Sequence, residues 1–72
     1  MTQRSRILTR AGVMDTELAT MESDIAQLES VLSEAPDASV DPATFTSLKL
    51  MRSCLQDTRR QLNSVLINLG LL

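Results

Sequence analysis

Apolar side chains recur at Ile7, Ala11, Met14, Leu18, Met21, Ile25, Leu28, Leu32 and Ala35, in alternating steps of four and three. That spacing is a heptad seam, and it requires an α-helix with one apolar stripe. Asp15, Thr16, Glu17, Glu22, Ser23, Asp24, Gln27, Glu29 and Ser30 lie between the seam positions and assign the opposite face to water. A second run with the same period follows at Leu48, Met51, Leu55, Thr58, Leu62, Val65, Leu69 and Leu72. Nowhere does the pattern alternate as a β-strand would.

The two runs are separated by Ala35-Pro36-Asp37-Ala38-Ser39-Val40-Asp41-Pro42. Pro36 biases the residue before it away from helical angles and stops the first helix. Asp41 followed by Pro42 reads as an N-cap and a first helical position: the carboxylate accepts an orphan N–H, and Pro has none to lose. Gly12 costs about 1 kcal/mol relative to Ala inside a helix, and Asp15 could cap a helix just beyond it. The first helix is therefore expected over residues 13–34, with the residues before Gly12 continuing it, forming a separate turn or fraying; the turn is expected over residues 35–41 and the second helix over residues 42–69. Gly70, followed by Leu71 and Leu72, suits a Schellman ending. A connection this short between long helices makes them antiparallel neighbours. The fold class is all-α, a single antiparallel two-helix hairpin.

Charge supports that pairing. Residues 13–41 carry eight acids and no base, whereas Lys49, Arg52, Arg59 and Arg60 lie on the second helix beside a single acid, Asp57. Folding about the turn predicts Glu17 near Arg60, Asp24 near Arg52 and Glu29 near Lys49. Such exposed pairs contribute about 0 to 1 kcal/mol each, so they set register more than stability.

The same composition weighs against catalysis. There is no His, Trp or Tyr, and Phe45 is the single aromatic residue. The usual general base is thus missing, and a hairpin this thin cannot enclose a ligand. The lone Cys54 cannot form an internal disulfide or a zinc site, and its place beside the seam reads as a small buried hydrophobe. No cofactor is expected. A net charge of −2 and the lack of stacking aromatics disfavour a nucleic-acid module. No run approaches the roughly 20 apolar residues of a membrane span, and an unpaired thiol fits a reducing compartment, so the expected location is the cytoplasm.

Seventy-two residues bury little surface, and without disulfides or metal the remaining source of stability is association. The strongest pointer is the C-terminal segment. Leu62, Val65, Leu66, Ile67, Leu69, Leu71 and Leu72 spread around more of the helix than one neighbouring helix can cover, which marks them as candidate partner-binding residues. Met14 and Met21 read as adaptable seam fillers. Two kinds of association fit: docking onto a helical-repeat partner, or a homodimeric four-helix bundle with a regulatory or RNA-binding role.

An acidic first helix, a Pro-containing turn, the run Asp41-Pro42-Ala43-Thr44-Phe45-Thr46-Ser47-Leu48 and an apolar second-helix ending over residues 62–69 together resemble the YscE/PscE/EscE group of type III secretion co-chaperones. The resemblance covers most of residues 13–72. It implies a small bacterial cytoplasmic protein that joins a tetratricopeptide-like chaperone. Through that chaperone it would help keep the needle subunit monomeric before export.

Overall fold

The computed structural model describes residues 2–34 and 40–72. Two helices, α1 (Gln3–Glu34) and α2 (Pro42–Asn68), pack side by side into a rod of 55 × 19 × 12 Å. Glu29 near the end of α1 meets Arg52 early in α2, and Glu22 meets Arg59 further along, so the pair is antiparallel. The chain is an all-α hairpin, as the periodicity requires. The expected Pro36 stop and the seam position assigned to Ala35 lie outside the described residues.

The signals at both ends of α2 are realised. Asp41 Oδ1 accepts the Ala43 N–H at 3.0 Å, and Pro42 occupies the first turn. At the other end Gly70 N–H donates to Ile67 O and Leu71 N–H to Leu66 O, both at 2.9 Å. Those two bonds define a Schellman motif, and Gly70 takes the left-handed φ of +75° that the motif needs.

At its start α1 takes one of the courses the sequence leaves open. It begins at Gln3, well before residue 13, and passes through Gly12 without a break. Thr2 caps it, with Oγ1 accepting the Ser5 N–H at 3.2 Å. Ala11 is buried beside Gly12, and Ile7 and Leu8 are half-buried. Burial against a neighbour on that face offsets the glycine penalty of about 1 kcal/mol. Asp15 is mid-helix and caps nothing.

The larger correction concerns the seam. The residues that α1 turns toward α2, all buried or half-buried, are Leu8, Ala11, Asp15, Leu18, Glu22, Ile25, Glu29 and Leu32. From α2 they are Phe45, Leu48, Arg52, Leu55, Arg59, Leu62 and Leu66. Both sets keep the steps of three and four. Both are rotated by about 50°, one heptad position, from the stripes of greatest apolarity. Met14, Met21, Leu28, Met51 and Val65, expected in the seam, are instead 47–52% exposed.

Charge accounts for the rotation. Asp15, Glu22 and Glu29 recur every seven residues on α1, and Arg52 and Arg59 every seven on α2, so turning the helices by one position brings opposite signs face to face. The expected pairs Glu17–Arg60, Asp24–Arg52 and Glu29–Lys49 are replaced. Arg59 binds Asp15 and Glu22, Arg52 binds Glu29, and Arg60 pairs with Asp57 on its own helix. Among the described residues no helix is long and apolar enough to cross a membrane.

Candidate functional site

The rotation gives the hairpin two unlike sides. One is closed by charge. Arg59 Nε donates to Asp15 Oδ1 at 2.9 Å and Nη1 to Glu22 Oε2 at 2.8 Å, with a longer Nη2 contact of 3.4 Å to Asp15 Oδ2. Hydrogen bonds to Asp15 first, and then to Glu22, hold the guanidinium still further from deprotonation than usual. Arg52 Nη1 lies 3.4 Å from Glu29 Oε2. The other oxygen, Glu29 Oε1, is buried without a hydrogen-bond partner among the described residues. Beyond the Schellman turn, Leu72 returns to a small depression on this side formed with Leu8, Gly12, Asp15, Arg59 and Asn63.

The opposite side is open and apolar. A groove of 560 Å³ runs between the helices at the end carrying the termini, with Ile7, Ala11 and Met14 on one wall and Leu62, Val65 and Leu66 on the other. A second groove, of 440 Å³, continues nearer the turn between Met21 and Ile25 of α1 and Met51, Cys54 and Leu55 of α2. Met14 and Met21 of α1 and Met51 and Val65 of α2 border these grooves, and Leu28, 47% exposed, continues the α1 row at the same seven-residue spacing. Thr58 belongs to the α2 rim. Its hydroxyl donates to the Cys54 carbonyl at 2.9 Å, which leaves its methyl as the group offered to a neighbour.

Charges grade along this open side. Arg6 and Arg10 flank the groove near the termini, whereas Asp24 flanks the one nearer the turn. Arg10, Glu17 and Asp24 form no ion pair among the described residues. Free charge of both signs therefore borders an uncovered apolar strip.

The structure divides the C-terminal residues that the sequence groups together. Leu62 and Leu66 pack into the seam with one edge on the open groove, and Val65 is fully part of that groove. Ile67 and Leu69 are exposed, 53% and 56%, and line neither groove. Leu71 is half-buried at the helix end, and Leu72 lies on the closed side. The rim residues Met14, Met21, Leu28 and Met51 are missing from that group because their apolarity suggests interior positions. Cys54, read as buried, is exposed.

Among the described residues no cluster of His, Cys, Asp and Glu is arranged to hold a metal ion. What the arrangement offers is a long, shallow, adaptable apolar surface that can receive one or two further helices. No family model, no curated protein and no solved structure matches the chain.

Proposed function

We propose that this hairpin is a small co-chaperone of a type III secretion system, which docks by its open side onto a helical-repeat chaperone and stabilises it. Through that chaperone it helps to keep the needle subunit monomeric before export, in the bacterial cytoplasm. The observation that carries the docking role is the strip bounded by Met14, Met21, Leu28, Met51 and Val65, each about half exposed. An isolated hairpin gains nothing from leaving so much apolar surface in water. Unbranched thioethers can repack against a partner's ridges, as surfaces that receive amphipathic helices do. The class of partner comes from the resemblance of residues 13–72 to secretion co-chaperones.

The test is co-expression with the tetratricopeptide-like needle chaperone of the same secretion system. The wild-type chain should raise the chaperone's soluble yield and co-purify with it. Val65→Asp should abolish co-purification by more than about tenfold while the helical circular dichroism of the variant is kept, because Val65 lies outside the seam. Leu66→Asp cannot make this distinction, since Leu66 is buried within the hairpin. Undiminished co-purification of helical Val65→Asp would contradict the assignment.

A further inference from the structure

We infer that, without another partner, the open side of the hairpin is covered by a second copy of the same chain, giving a two-fold symmetric four-helix bundle. This goes beyond the co-chaperone reading and stands independently of it. The first support is that both helices present an apolar rim on the same side. A single docked helix would fill the groove between the rims, whereas a second hairpin covers the α1 rim and the Val65 end of the α2 rim.

The second support is symmetry. In a two-fold dimer with α1 lying antiparallel across its mate, the contact residues must read the same from either end. The α1 rim does so: Ile7 would meet Leu28 of the second copy, and Met14 would meet Met21. Its midpoint falls between residues 17 and 18. The α2 rim, Met51, Thr58 and Val65, is symmetric about Thr58 instead. The pairs Glu22–Arg59 and Glu29–Arg52 place the α1 midpoint level with residues 63–64 of α2. An axis there sets Leu62 of one copy against Val65 of the other and leaves Met51 beyond the overlap, so the α1 rim fixes the axis.

The third support is charge. The axis that pairs the rims brings Arg10 of each copy opposite Asp24 of the other. Neither has an ion-pair partner among the described residues of one chain. The same axis sets Glu17 against Glu17 of the second copy, a repulsion the dimer must carry.

Sedimentation velocity on the full purified chain, with ellipticity followed in parallel, tests the assignment. The wild type should pass from monomer to dimer and stop there as concentration rises to about 100 µM. Met21→Glu should remain helical and sediment as a monomer. Asp24→Arg should weaken the dimer about threefold to tenfold, and adding Arg10→Asp should restore it. Glu17→Gln, which removes a like-charge contact on the axis, should tighten it a few-fold, a gain no merely structural role would produce. A helical wild-type chain that stays monomeric at about 100 µM and binds only an added helical protein would overturn the dimer, while leaving the co-chaperone reading intact. Open-ended assembly beyond the dimer, or a dimer indifferent to Met21→Glu, would overturn it too.

Discussion

Arg59→Glu is expected to collapse the hairpin, removing more than about half of its helical ellipticity at 25 °C, the largest loss from any single substitution outside the apolar core. The wild-type guanidinium sits between Asp15 and Glu22 at hydrogen-bonding distance from both. Reversing its sign brings three carboxylates to one level of the seam and leaves none with a counter-charge. Repulsion across a few ångströms in a partly dried setting is far stronger than between exposed side chains. Arg59→Met should do less harm, because it removes the clamp without adding a third like charge and its stem still packs. Restoring opposite signs, with Asp15→Arg and Glu22→Lys added to Arg59→Glu, should recover helicity. A helical, cooperatively melting Arg59→Glu chain would show that the ladder does not set the register.

The second large effect separates the seam from the open rim. Ile25 is 8% exposed and Met21, one turn earlier, 50%. Ile25→Ala removes buried methyl groups and leaves a void against α2, so it should cost the dilute hairpin about 2 to 4 kcal/mol. That is a large share of what a domain of this size possesses. Met21→Ala should cost less than about 1 kcal/mol under the same conditions, since its side chain is already half in water. Urea melts at a concentration low enough to hold the chain as a monomer measure both. Equal costs at the two positions would return Met21 to the seam.

The elements themselves are readable in the sequence because each rests on local chemistry. Asp41-Pro42 acts through one side-chain bond and one missing N–H, and Gly70 through a single positive φ. The heptad period requires helices and a short connection requires them antiparallel. Register around each helix axis is a weaker inference. Three adjacent columns compete for the seam of α1: Ile7, Met14, Met21 and Leu28; Ala11, Leu18, Ile25 and Leu32; Leu8, Asp15, Glu22 and Glu29. Apolarity alone selects the first two, whereas the chain uses the second and third.

The signal that resolves this is present but needs both helices at once. Acids repeat every seven residues at Asp15, Glu22 and Glu29, and guanidinium groups repeat every seven at Arg52 and Arg59. Two charged columns of opposite sign and identical period satisfy each other only when they face across the seam. The apolar arc of each helix is thus centred between the other helix and the open side. That is the geometry of a helix in a larger bundle, and it explains why the C-terminal apolar residues do not form one patch. Leu66 closes the seam, Val65 faces outward along the groove, and Ile67 lies away from both. The start of α1 stays open in the sequence for a different reason: the Gly12 penalty is local, and the burial of Ala11 that outweighs it is tertiary.

The chain closes one side with charge and leaves the other, rimmed by methionine, uncovered. Methyl NMR with a soluble nitroxide tests it directly, by comparing Met14, Met21 and Met51 with Ile25 and Leu66 as the helical chain is concentrated. The three methionine methyls should be strongly broadened in dilute solution and become shielded together on association, while Ile25 and Leu66 stay protected throughout. Methionine methyls as shielded as Ile25 in the dilute, helical monomer would contradict it.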